Sequence, residues 1–214
     1  MLGQFKKGKV YVILVIIKFM ELNKKDLVEH KKEIQKMSKE QKEIKTDKFI
    51  LDACCGARMF WNDKHQPNTI FIDNRKEEKG YNDYRPNREI NPDIIMDFRD
   101  LKFPDKKFKL IVMDPPHIIS ASKNFRMARD YGILNKRTWK EDIKKGFEEC
   151  WRCLDDYGIL TFKWNETSIK RKEILEVLGR NEYLIIGNLM RSKIPTHWFI
   201  FMKIPNGKRK RNNL

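Results

Sequence analysis

The chain has 214 residues, enough for one domain with a sizeable core. Lys and Arg number 46 against 30 Asp and Glu, a formal net charge of +16 at pH 7, and such a field favours polyanions, nucleic acid foremost, although a lysine-rich surface alone reads the same way. Four cysteines in a chain this long exclude a disulfide scaffold and fit reduced, cytoplasmic thiols.

Lys6, Lys7 and Lys9 precede an apolar run from Val10 to Ile17. The run imitates a signal peptide, but no small-residue cleavage site follows. It falls far short of the ~20 residues that span a bilayer, so no stable membrane association is expected. It reads as an extra strand, as a short membrane-associating segment, or as translated upstream sequence ahead of a start at Met20. The last is preferred, because nothing later in the pattern needs the run. Residues 1–19 are thus an atypical extension. Residues 20–47 are a charged helical segment, with Leu27, Ile34, Met37 and Ile44 as a thin apolar stripe.

From Lys48 short apolar runs alternate with amphipathic stretches. Phe49 to Leu51 predicts a strand ending at Asp52. Thr69 to Ile72 predicts a second, ending at Asp73. Asp93 to Met96 predicts a third, ending at Asp97. Lys109 to Met113 predicts a fourth, ending at Asp114, and Gly158 to Phe162 a fifth. Tyr183 to Ile186 and His197 to Met202 are closing strands. Continuous apolar strands imply a sheet covered on both faces. The predicted fold is therefore α/β, a Rossmann-like, mostly parallel seven-stranded sheet with helices on both faces. The domain spans 48–204, and a basic tail, 205–214, follows. Four successive strands ending in Asp mark one polar edge, and ligands gather at that edge of such sheets.

Trp139 to Leu154 has helical spacing, with Ile143, Phe147, Trp151 and Leu154 on one face, and Glu173 to Leu178 predicts another helix. Cys150 and Cys153 form a C-x-x-C that invites zinc. Their helical neighbours favour a buried helix face instead, and no second ligand pair has matching spacing, so no metal is expected.

The residues at the polar edge carry a resemblance. The first turn holds Asp52-Ala53-Cys54-Cys55-Gly56 within a string running to Trp61. The third is Asp-Phe-Arg-Asp-Leu-Lys-Phe-Pro-Asp-Lys-Lys-Phe, residues 97–108. The fourth is Asp114-Pro115-Pro116-His117. These strings resemble the class I S-adenosylmethionine (SAM) methyltransferase superfamily, most closely its small phage-type members, over Lys48 to Lys203. The resemblance implies SAM as cofactor. It implies that Asp52, Cys54 and Gly56 form the cofactor turn, with a helix start behind it, and that Arg58 is a candidate for the methionyl carboxylate. Asp73, about twenty positions after Asp52, is placed to accept from ribose hydroxyls, a spacing shared by NAD and SAM folds. Asp97 is the expected acceptor for the adenine N6 of SAM, with Phe98 offering backbone and ring.

The motif Asp-Pro-Pro-aromatic occurs in enzymes that methylate exocyclic amino groups of bases. Such a nitrogen is a poor nucleophile, because its lone pair is delocalised into the ring. Asp114 can accept one N–H and the Pro115 carbonyl the other, turning the lone pair towards the methyl donor. Two prolines fix φ and leave their carbonyls free, so the turn is stiff. The fourth position is His117 where an aromatic usually stacks on the extruded base. Lys163, Asn165, His197 and Trp198 leave or enter strands at the same edge and are candidate substrate contacts. Read instead as ordinary strand ends, these residues would leave Trp198 in the core. Arg126 stands in a basic segment from Ser120 to Arg137, interleaved with Phe125 and Tyr131, which suits a nucleic-acid strand.

The expected activity is therefore transfer of methyl to N6 of adenine, in DNA ahead of RNA. N4 of cytosine, a small-molecule or protein acceptor, and a non-catalytic nucleic-acid-binding module are the alternatives. A dehydrogenase is disfavoured, since nothing supplies a hydride-site acid or base.

Overall fold

The computed structural model describes residues 44–119, 126–179, 184–187 and 195–205. Seven strands form one sheet: β1 (Ile50–Asp52), β2 (Thr69–Asp73), β3 (Ile94–Ile95), β4 (Phe108–Met113), β5 (Leu154–Asn165), β6 (Leu184–Gly187) and β7 (Thr196–Met202). The strand order is β3-β2-β1-β4-β5-β7-β6. The first five strands pair in parallel, and β7 runs antiparallel to both β5 and β6. This is the mostly parallel, Rossmann-like sheet expected from the apolar runs. Strand order reverses between β1 and β4, which opens a crevice beyond their carboxyl ends.

Three helices are described: α1 (Arg126–Tyr131), α2 (Trp139–Cys153) and α3 (Arg171–Val177). Ile143, Gly146, Phe147, Cys150 and Cys153 are the buried face of α2. Cys150 and Cys153 thus belong to the core, next to Leu154, Phe162 and Phe201 in one apolar cluster. Along β5 and β7 burial alternates. Leu160, Phe162, Trp164, Phe199 and Phe201 are buried, while Ile159, Trp198 and Ile200 on the other face are partly exposed. Period-two alternation is what the pleat requires of a half-covered sheet.

The crossovers depart from expectation. No helix follows β1; residues 53–68 form a chain of turns, with Arg58 N–H donating to Cys55 O (2.7 Å) and Trp61 N–H to Arg58 O (3.3 Å). The cause is local, since Gly56 (φ +47°) and Arg58 (φ +54°) both sit in the left-handed region, where a right-handed helix cannot start. The third strand is shorter than the run Asp93 to Met96. It pairs only through Ile94 and Ile95, at the sheet edge, and Ile95 is exposed. A very short edge strand offers little template for unwanted pairing.

Gly146 decides how closely α2 meets the loop after β3. A Cβ there would fall 2.1 Å from a ring carbon of Phe98. The glycine lets the Phe98 ring lie against the helix backbone.

The readings of the N-terminal extension, of the stripe before Ile44, of residues 120–125, of Tyr183 and of the tail lie outside the described residues. Among the described residues no helix is long and apolar enough to cross a membrane.

Candidate active site

A cavity of about 270 Å³ opens at the carboxyl edge of β1, β2 and β4. Cys54, Gly56, Asp73, Phe98, Asp114, Pro116 and Lys163 line it, seven of the residues singled out by sequence.

Three acids stand at this edge because three parallel strands end side by side, but only Asp73 and Asp114 line the cavity; Asp52, expected in the cofactor turn, does not. Asp52 is buried at 1% exposure. It accepts from the Trp61 indole N–H (2.8 Å) and the Cys54 N–H (3.2 Å). Burial nonetheless pushes its pKa up to about 7, and the nearby charges of Asp114 and Asp73 add to the rise. Asp73 accepts from Gly56 N–H (3.0 Å) and Arg75 N–H (3.0 Å), so the β1 turn is held by the acid ending β2. Oδ1 accepts a second bond, from Arg75 Nε (3.4 Å), so Oδ2 is the oxygen that keeps a further acceptor site.

Asp114 follows β4 directly. Its Oδ2 accepts from Lys163 Nζ (3.1 Å). Its Oδ1 is buried and has no hydrogen-bond partner among the described residues. Burial raises its pKa to about 6, against the opposing pull of Lys163. Pro115 is buried and Pro116 faces the cavity.

His117 does not stand where a stacking residue would. It is 5% exposed and does not line the cavity. Its ring packs between Tyr131 (6.0 Å between centroids) and Trp164 (6.4 Å). Burial lowers its pKa to about 4, with Lys163 acting in the same direction, so the imidazole is neutral at pH 7. The reason is α1, which lays Tyr131 over it.

Several other expected contacts are engaged elsewhere. Arg58 donates to Lys64 O, Asn91 O and Asp93 Oδ1, each at 2.8 Å, and covers the Phe71 ring at 3.9 Å. It clamps the β1 crossover to the segment before β3 rather than facing a carboxylate in the cavity. Both oxygens of Asp97 are taken by Arg99, which also reaches Asp142 at 2.6 Å and ties this turn to α2. Arg99 holds the Asp97 carboxyl below the usual range. Of that pair only Phe98 reaches the cavity.

Asn165 joins β5 to β7 through the Thr196 hydroxyl (2.9 Å) and accepts from Thr167 N–H (2.9 Å). His197 is 2% exposed and bonds Glu166 at 2.8 Å. Neither lines the cavity. Trp198 is 40% exposed, so the core reading fails for it; its ring meets Phe60 at 4.9 Å. Arg126 lies outside the cavity, with its guanidinium 5.4 Å from the Tyr84 ring centroid.

Of one wall, sequence reasoning singled out Tyr131 alone. Asp130, buried on α1, accepts from Asn82 Nδ2 (2.6 Å) and pairs with Arg85 (3.0 Å) and Arg88 (3.5 Å). Arg75 donates to the carbonyls of Arg129 (3.1 Å) and Asp130 (3.4 Å). These bonds bind the β2–β3 crossover to α1 and bring Arg75, Tyr81, Arg88 and Tyr131 to the cavity. The available signal was a single acid, Asp130, inside an otherwise basic segment.

No family model matches the chain, and no curated protein matches it. Solved structures of similar fold include a putative rRNA-methylase from Clostridium thermocellum, 16% identical over 79% of this chain and 96% of that one, with a TM-score of 0.45. A SAM dependent methyltransferase from Aquifex aeolicus is 15% identical over 79% of this chain and 89% of that one, with a TM-score of 0.43. A geranyl diphosphate methyltransferase in complex with GPP and sinefungin is 9% identical over 75% of this chain and 72% of that one, with a TM-score of 0.47.

Proposed function

We propose that this chain is a SAM-dependent methyltransferase that acts on the exocyclic amino group of a nucleic-acid base, N6 of adenine in DNA ahead of RNA. The observation that carries the reading is the Asp114 Oδ1 atom: a buried acceptor without a partner among the described residues, beside the cavity, on a diproline turn at the end of β4. An unfilled buried acceptor costs free energy unless a ligand completes it.

The residues present fit the cofactor. Asp73 Oδ2 has acceptor capacity left for a ribose hydroxyl beside its bond from Gly56, while Oδ1 is taken by Arg75. Nothing lies within 4 Å of where a Cβ on Gly56 would be, so the backbone there is open to a ligand. Phe98, supported by Gly146, offers a ring face at the β3 side. Bound there, SAM supplies a methyl group activated by its sulfonium.

The chain's own contribution is orientation and charge. Asp114 Oδ1 accepts one amino N–H, and the Pro115 carbonyl is assigned the other. Lys163 neutralises Oδ2 and keeps the carboxyl ionised against burial. Asp114 then takes the proton that methylation renders acidic. The net charge of +16 supports a polyanionic substrate.

Purified protein incubated with labelled SAM and unmethylated DNA, total RNA or cell extract tests this. Digestion to nucleosides should return N6-methyl-2′-deoxyadenosine from DNA. Label in RNA alone overturns the choice of DNA. Label confined to a small molecule overturns the nucleic-acid substrate. No label despite SAM binding overturns the enzyme and leaves a binding module.

A further inference from the structure

Because His117 is covered, the cavity has to find its flat walls elsewhere. Tyr131, from α1, packs against the His117 ring at 6.0 Å between centroids and lines the cavity together with Pro116. Phe60, from the β1 crossover, lines it beside Lys163, whose ammonium lies 4.4 Å from the Phe60 centroid. Lys163 in turn holds Asp114 at 3.1 Å. Trp198 is the cross-strand partner of Lys163 and continues the Phe60 surface outward, 4.9 Å away and 40% exposed.

We infer that Tyr131 and Phe60 form the two walls of a slot for the acceptor base next to Asp114, and that Trp198 extends the Phe60 wall to receive the neighbouring base of the strand. This rests on the methyltransferase reading and names the residues that would give it a nucleobase substrate. Aromatic walls suit any base, because every base has a π face, while the free Asp114 acceptor selects one with an amino group. A small aliphatic acceptor would gain nothing from Trp198, which stands outside the cavity. Exposed Lys136 and Arg137, a few residues beyond Tyr131, suit the phosphates of a strand.

The test uses the full chain, S-adenosylhomocysteine, and a single-stranded DNA oligonucleotide with 2-aminopurine at one adenine position. Stacking quenches this base, so the wild-type complex should stay dim. Phe60→Ala and Tyr131→Ala should each leave the bound base several-fold brighter. In turnover with the adenine oligonucleotide they should raise KM roughly tenfold or more, with affinity for SAM unchanged. Tyr131→Phe, which keeps the ring, should behave as wild type. Trp198→Ala should raise KM for a trinucleotide but not for a mononucleotide. If an alanine variant unfolds, Phe60→Leu and Tyr131→Leu keep the bulk and remove the ring face. Intact methylation with unchanged KM and fluorescence in these variants overturns the slot and leaves the methyltransferase standing. A wild-type protein that methylates no oligonucleotide overturns the underlying reading instead.

Discussion

Lys163 places its ammonium 3.1 Å from Oδ2 of Asp114 while Oδ1 of the same carboxyl has no partner among the described residues. One oxygen is thus committed to a charge partner and the other is left for a ligand. Burial raises the Asp114 pKa to about 6, and Lys163 limits that rise. Activity should therefore fall as pH drops through about 6. Lys163→Met removes the opposing charge and should shift this acidic limb upward, which a pH–rate profile of kcat/KM reads directly. Asp114→Ala should reduce transfer at least 100-fold while SAM still binds by calorimetry. An unmoved limb in Lys163→Met would sink the proposed role of the ion pair.

Asp52 carries a stability consequence. Its folded pKa is about 7, above the ordinary 3.8. Between those values the unfolded chain has released the proton and the folded chain has kept it. Stability attributable to this group is thus full below pH 4 and declines as pH rises to about 7. The shift corresponds to about 4 kcal/mol. Asp52→Asn cannot ionise, so its unfolding free energy relative to wild type should improve across that interval and level off above it. Denaturant midpoints at several pH values measure this.

Asp73 should matter for the cofactor more than for turnover. Its alanine variant loses a charged acceptor and frees the Gly56 N–H. Titration calorimetry should show SAM binding weakened by about 1.5–3 kcal/mol. A full loss of activity at saturating SAM would assign it a different role.

Gly146→Ala brings a methyl group into the space of the Phe98 ring. Overpacking of this kind costs about 1–3 kcal/mol. The thermal midpoint should fall, and SAM affinity should fall with it, because the displaced ring lines the cavity. Adding Phe98→Leu should restore the midpoint without restoring the affinity.

Most strands were legible because they are short apolar runs, and the acids at their ends because parallel strands deliver successive carboxyl termini to one edge. Asp73 and Asp114 followed from that alone. β5 instead runs from Leu154, expected on the helix, through Asp155 and Asp156 to Asn165, well beyond the apolar stretch Gly158 to Phe162. The turns after β1 were hidden. Nothing in the residue type of Arg58 announces a positive φ, and its partner Asp93 lies far along the chain. His117 was misplaced because its burial depends on Tyr131, from a helix whose position is set by Asp130 and arginines of another crossover. Trp198 was ambiguous for a related reason: alternation along β7 says that neighbours face opposite sides, but not which side is covered.

The bonds around Asp130 also bear on recombination. A homologous crossover grafted between β2 and β3 would arrive with cations cut to fit a different helix. The remaining carboxylate would then sit in the interior without its arginines. Residues 74–93 and 126–131, distant in sequence, therefore form one heritable module, to be exchanged together or not at all.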